Sequence, residues 1–198
     1  MSREIEIEFK NMLTETEFRL LMEHFSLEQS DFILQTNYYF ETLAFALKNL
    51  QAALRVREKQ GKYMLTLKEE KSFGQLETSQ PLSKTEAHAC ILTRQFPQGP
   101  VLQRLDDLGV EPGEIQYVGA LETLRAEVPY EGGLLVLDRS SYFQKVDFEV
   151  EYEVEDPVQG KKIFYALLQK LNIPVRESEN KIARFFVEKE RLQDGVDH

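Results

Sequence analysis

The sequence predicts an α+β fold of seven or eight mostly antiparallel strands, with helices at the ends and in one insertion. Three observations predict it. Apolar and charged residues alternate strictly in several segments, the period of a strand whose side chains point to opposite faces. Turn signals, Gln60-Gly61 and Gly132-Gly133, separate neighbouring segments of that kind. Helical spacing or helix capping marks separate stretches, at 14–25, 83–93, 101–108, 158–172 and 178–191.

Each element has its own reason. In Glu4-Ile5-Glu6-Ile7-Glu8-Phe9-Lys10, the residues Ile5, Ile7 and Phe9 share one parity and Glu4, Glu6, Glu8 and Lys10 the other, which predicts the first strand. Thr14 and Glu17 form a capping-box pattern, and Phe18, Leu21, Met22 and Phe25 follow at helical spacing. Residues 31–41 read as a strand and Ala44 to Leu50 as a short helical turn. Strands at 52–59 and 62–69 flank Gln60-Gly61 as a tight hairpin. The stretch after Lys68, with Gln75-Leu76-Glu77, reads as a loop.

Ser83 with Glu86 caps a helix through Thr93, Pro97, Gly99 and Pro100 break the chain, and 101–108 forms a second helix ending at Gly109. This makes 83–109 a helical insertion. Strands resume at 115–130, 133–139 and 143–155. Ile163, Leu167, Leu168 and Leu171 mark an amphipathic helix over 158–172, and Pro174 ends that region. Residues 178–191 read as a helix, although Ile182–Val187 also fits a strand. Residues 1–192 form one domain, and 193–198 are expected to be a frayed tail.

Charge is the functional signal. Asp147, Glu149, Glu151, Glu153 and Glu155 alternate with Phe148, Val150, Tyr152 and Val154, a second acidic row. Arg55, Arg57 and Lys59 share one parity, Lys68 shares parity with Thr66, and Arg125 with Thr123. Any one of these strands alone reads as the wet face of a sheet. Together, acidic rows and basic pairs are what a divalent metal bound to a polyanion requires. A charged face of this kind can lie flat and half wet, or close into a barrel around itself under amphipathic helices.

Composition excludes other classes. A net charge of −10 argues against nucleic acid as a partner. The single Cys90 excludes a disulfide framework and a Cys-rich zinc site. The chain shows no Gly-rich phosphate loop, no apolar signal core and no apolar run near 20 residues, so the expectation is a cytoplasmic protein without membrane contact. His24, His88 and His198 sit apart, with no nucleophilic Ser, Cys or His constellation.

The motifs occur in a known order. Glu6-Ile7-Glu8-Phe9-Lys10 resembles the ExExK signature of the CYTH superfamily, the triphosphate tunnel metalloenzymes, which include class IV adenylyl cyclases, thiamine triphosphatases and inorganic triphosphatases. Tyr38-Tyr39-Phe40-Glu41-Thr42 resembles the family's aromatic strand, Leu54-Arg55-Val56-Arg57 its LRxR strand, and Thr66-Leu67-Lys68 its TxK strand. Thr123-Leu124-Arg125 resembles the TxR strand, Leu137-Asp138 the aspartate before the second acidic strand, Glu149-Val150-Glu151 the ExE pair, and Lys181 with Arg184 the C-terminal basic element. The ExE register is open between Glu149/Glu151 and Glu151/Glu153. Where some members carry an arginine–glutamate pair, this chain offers Gln75-Leu76-Glu77.

The resemblance implies an eight-stranded antiparallel barrel, the triphosphate tunnel, with flanking and inserted helices and inward-pointing charge. It implies that Lys10, Arg55, Arg57, Lys68, Arg125, Lys181 and Arg184 bind phosphate, and that Glu6, Glu8, Asp138, Glu149 and Glu151 hold Mg²⁺ or Mn²⁺. Glu6, Glu8, Lys10 and Arg57 are the catalytic expectation. The implied activity is metal-dependent hydrolysis of inorganic triphosphate or a small organic triphosphate. The alternatives are a class IV-type adenylyl cyclase and a non-catalytic polyphosphate or nucleotide binder. Monomer and homodimer are both open.

Overall fold

The computed structural model describes residues 2–72 and 74–194, with side chains from Ile5 to Leu192 apart from Phe73. It contains strands β1 (Ser2–Leu13), β2 (Ile33–Thr42), β3 (Ala52–Lys59), β4 (Lys62–Lys71), β5 (Gly74–Leu82), β6 (Ile115–Tyr130), β7 (Gly133–Tyr142) and β8 (Lys145–Val154). These close into one antiparallel barrel in the order β1-β5-β4-β3-β2-β6-β7-β8. The helices are α1 (Glu15–His24), α2 (Ala46–Asn49), α3 (Lys84–Thr93), α4 (Pro100–Asp107), α5 (Pro157–Lys170) and α6 (Lys181–Asp194).

The chain divides into two compact units, Met1–Glu6 with Leu34–Ala120 and Ile7–Ile33 with Leu121–His198. The first strand serves both: its start pairs with β5 (Glu6↔Gln75) and its remainder with β8 (Lys10↔Glu151).

In the first unit, one parity of β3 and β4 is apolar. Leu54, Val56, Leu65 and Leu67 are fully buried against Leu47 of α2, Ala87 and Cys90 of α3, and Val101 and Leu105 of α4. The other parity carries Arg55, Arg57 and Lys68, and so lies on the face away from the helices, which in a closed barrel is the interior. The stretch between β5 and β6 carries α3 and α4. Ser83 and Glu86 exchange both capping-box bonds, and Pro100 opens α4. Arg104 of α4 donates through Nε and Nη2 to the buried Glu69 of β4, at 2.9 and 2.8 Å, and fastens the insertion to the barrel wall. Desolvation opposes the hydrogen bonds from Arg104 and Lys71 but is outweighed, and Glu69 is lowered to about 2.

In the second unit, Leu135, Leu137, Val150 and Tyr152 pack beneath Phe18 and Leu21 of α1 and Phe164, Leu167 and Leu168 of α5. The opposite parity of these strands carries Asp138, Glu149 and Glu151.

The structure corrects two readings and settles a third. The stretch after Lys68 is not a loop: Gly74–Leu82 is a full strand, paired with β4 from Lys71↔Gly74 to Tyr63↔Leu82 and with β1. Its alternation was masked because Thr78 and Gln80 occupy the helix-facing parity. Gln80 earns that position by accepting the backbone N–H of Val101 at 3.1 Å, at the start of α4. Gly74 lets β5 begin there, since it adopts φ +118° and a Cβ would lie 2.3 Å from the Glu6 carbonyl oxygen. The second hairpin turns at Glu131-Gly132 (φ 45° and 83°), one residue earlier than Gly132-Gly133, and Tyr130 pairs with Gly133. Gln60-Gly61, also with two positive φ values, closes Lys59↔Lys62 as expected. Finally, 178–191 yields helix rather than strand at Ile182–Val187, and α6 continues through Asp194. Gly195–His198, the rest of the expected tail, lie outside the described residues.

Candidate active site

The first unit places Glu6, Arg55, Arg57 and Lys68 on the interior parity. Strand register sets Arg57 opposite Asn37 and Lys68 opposite Glu77. The buried Asn37 accepts the Arg57 Nε–H at 2.9 Å, which fixes the plane of the guanidinium. Lys68 donates to Glu6 at 2.8 Å and also contacts Glu77. Arg55 stands 3.7 Å from Glu77, beyond hydrogen-bond reach, and its Nε is buried without a hydrogen-bond partner. Burial pushes the Glu6 carboxyl up, yet the charge of Lys68, its hydrogen bond, and the charges of Arg55 and Arg57 outweigh this and lower it.

The second unit holds Glu8, Lys10, Arg125, Asp138, Glu149, Glu151, Lys181 and Arg184. Arg125 grips Asp138 through Nε and Nη2 at 2.8 and 2.6 Å and reaches Glu151 at 2.7 Å. Lys181, the first residue of α6, inserts its ammonium among three carboxylates: Asp138 and Glu149 at 2.9 Å each, and Glu151. Lys10 bonds Glu8 at 2.8 Å and the Asn180 amide oxygen at 3.0 Å. Arg184 donates to Glu149 (2.8 Å), the Ser178 hydroxyl and the Glu179 carbonyl (both 2.9 Å), and its Nε stands 3.2 Å from Asp147 as an ion contact. Its bonds therefore seat α6, and the buried Asn11 seats the segment before it. The Asn11 side chain donates to the Pro174 carbonyl and accepts the Arg176 N–H.

Burial works against the charges of Arg125, Asp138, Glu149, Glu151, Lys181 and Arg184, and the opposite charges prevail. Lys181 and Arg125 pull Glu151 well below the usual carboxylate range. Arg125 and Lys181 likewise lower Asp138, and Lys181 with Arg184 lowers Glu149. Lys181 is raised by its three carboxylates despite full desolvation.

The donor set also fits a hard divalent cation. Glu8, Glu151 and Glu153 each offer a carboxylate oxygen, and these oxygens lie within 4.8 Å of one another. Register explains it, since Glu8 pairs with Glu153 and Lys10 with Glu151. The open ExE register thus bears on two different jobs: Glu149 meets Lys181, Arg184 and Ser178, whereas Glu151 and Glu153 join Glu8. Sequence reasoning missed Glu77, Asn37, Ser178 and Asn180. Glu77 was detectable from its parity with Gln75 and Ser79 once 74–82 is read as a strand, and Asn37 from its place on the interior parity of β2. No local pattern marks Ser178 or Asn180, which reach the site through the seating of α6.

A closed eight-stranded barrel with paired acidic and basic rows inside defines a class, and the comparisons agree with it. Residues 4–186 match the CYTH domain family, and the chain belongs to that family. It is 49% identical over 191 residues to the Bacillus subtilis (strain 168) protein named "Putative triphosphatase YjbK", covering 96% of this chain and 99% of that protein. It resembles the crystal structure of a Bacillus halodurans protein described as "a putative adenylate cyclase", with 41% identity, a TM-score of 0.91, and coverage of 94% and 100% of the two chains. It also resembles Hippeastrum HpAC1, at 26% identity, a TM-score of 0.77, and coverage of 93% and 96%. HpAC1 is described as a "putative adenylyl cyclase" with a dominant triphosphatase activity.

Proposed function

We propose that this chain is a triphosphatase that hydrolyses inorganic triphosphate, or a small organic triphosphate, with Mg²⁺ or Mn²⁺. The observation that carries the reading is the charge arrangement: a trio of carboxylates at metal spacing and, on the same parity of the barrel strands, guanidinium and ammonium groups, among them Arg55, whose buried Nε has no hydrogen-bond partner. The names of YjbK and HpAC1 support it.

Arg57, with its Nε committed to Asn37, directs its Nη groups to a phosphate as a fixed fork. Arg55 and Lys68 add cationic charge in the first unit, and Lys10, Arg125 and Lys181 do so in the second. Arg184, whose donors serve α6, takes the smallest share of the phosphate. Glu8, Glu151 and Glu153 would hold the divalent ion, with Glu6, Asp138 and Glu149 as further acidic ligands once their cations turn to phosphate. A bound divalent ion supplies neutralisation of phosphate charge and polarisation of the attacking water. Phosphoryl transfer rests mainly on positioning and charge stabilisation, so a compact triphosphate loses little by lacking a base.

The second reading, cyclisation of ATP, is favoured by the resemblance to proteins described as adenylyl cyclases. The side chains assigned above match phosphate and metal rather than adenine, which places hydrolysis first. The test is phosphate release from a panel of triphosphates with Mg²⁺ or Mn²⁺, run beside a cyclic AMP assay. Inorganic triphosphate should be hydrolysed at least as efficiently as ATP, with cyclic AMP minor or absent. Cyclic AMP as the main product, with inorganic triphosphate untouched, would reverse the order.

A further inference from the structure

The interior faces of the two units carry the same two-rung ladder. In the first, Thr66-Leu67-Lys68 of β4 lies opposite Glu77-Thr78-Ser79 of β5, so that Lys68 faces Glu77 and Thr66 faces Ser79. In the second, Thr123-Leu124-Arg125 of β6 lies opposite Asp138-Arg139-Ser140 of β7, so that Arg125 faces Asp138 and Thr123 faces Ser140. The hydroxyl rungs are joined at 2.9 and 3.1 Å. In each cation rung the basic side chain touches the carboxylate opposite.

The rungs match in position and differ in saturation. Asp138 is completely buried, takes two bonds from Arg125 and contacts Lys181 at 2.9 Å. Glu77 lacks that bidentate grip: it contacts Lys68 and stands 3.7 Å from Arg55, whose Nε finds no acceptor. Glu77 is therefore the counter-charge of two cations assigned to phosphate, without the bidentate bonding that makes Asp138 a structural partner.

We propose that Glu77 is a positioning residue that limits the grip on phosphate. In the empty protein it holds Lys68 in place and neutralises part of the Lys68 and Arg55 charge. With triphosphate or the pyrophosphate product bound, it is a fixed negative charge behind the same cations, and it favours release. The role rests on the reading of this site as a triphosphate site.

Steady-state kinetics on the full chain with inorganic triphosphate and Mg²⁺, and inhibition by pyrophosphate, test it. Glu77→Gln keeps an acceptor for Lys68 while deleting the charge. It should lower KM and the pyrophosphate inhibition constant by about fivefold each, with kcat unchanged or reduced. Glu77→Asp, which draws the carboxylate back by one methylene, should shift both constants the same way by about twofold, and decides the matter if the Gln variant does not fold. A purely structural role moves KM upward instead. Raised or unchanged constants in a folded variant, beside an active wild type, would overturn the role of Glu77 alone. A wild type that hydrolyses no triphosphate would overturn the site reading on which it rests.

Discussion

The two units use the same alternating strands to opposite ends. In the first, three cations, Arg55, Arg57 and Lys68, share the interior parity with two carboxylates, Glu6 and Glu77; Lys68 contacts both acids, and Arg55 stands 3.7 Å from Glu77. In the second, Lys10, Arg125, Lys181 and Arg184 meet six acids, Glu8, Asp138, Asp147, Glu149, Glu151 and Glu153, in a dense and mostly buried network. Excess cation suits a polyanion, whereas excess carboxylate suits a metal. In the dense network the loss of one partner is costly, because it leaves a buried ion uncompensated.

The sharpest way to break this contrast is Lys181→Met. It leaves Asp138, Glu149 and Glu151 with fewer cations in a desolvated site and releases α6, and should cost about 4 kcal/mol of unfolding free energy in urea titration. Arg57→Ala in the first unit should cost little stability but lower kcat/KM about 100-fold for every triphosphate alike, because it removes a contact common to all. Equal stability losses in the two variants would dissolve the comparison.

A smaller effect sharpens it from outside the site. Glu69→Gln removes the charge that Arg104 grips on the helix-facing side of the first unit. It should destabilise by about 2 kcal/mol while KM for triphosphate stays unchanged.

Much of this was legible because strand period and charge coincide. Glu6, Glu8, Lys10, Arg55, Arg57, Lys68, Arg125, Glu149 and Glu151 each alternate along the sequence with an apolar neighbour, so parity alone sorted them onto one face. Asp138 follows the apolar run Leu134–Leu137 and needed the family pattern. The strand at Gly74–Leu82 was hidden because Gln80 puts a polar side chain on the apolar parity for the sake of Val101, a partner 21 positions away. Glu77 was lost with it. The roles of Ser178 and Asn180 depend on where α6 is seated, and no local pattern encodes that.

The smallest effect is on pH. Glu6, Asp138, Glu149 and Glu151 all have folded-state values below those of the unfolded chain. Their stabilisation is complete above the ordinary carboxylate range and is lost as pH falls through it. Lys181 is raised, so its share persists below the ordinary lysine value and is lost only on strong alkalinisation. Melting temperature should therefore be flat between roughly pH 6 and 9 and fall on the acid side. Lys181→Met should make the acid-side fall shallower, since its partners would no longer be so strongly lowered.

The division of labour between the units is tested most directly by binding the two ligands separately to Glu8→Gln and Arg57→Ala. Mn²⁺ binding without triphosphate is followed by electron paramagnetic resonance, and triphosphate binding without metal by calorimetry. Glu8→Gln should weaken Mn²⁺ binding about tenfold or more and leave metal-free triphosphate binding equal or tighter. Arg57→Ala should weaken triphosphate binding and leave Mn²⁺ binding unchanged. If both variants weakened both ligands alike, or if Mn²⁺ binding ignored Glu8→Gln, the account would be contradicted.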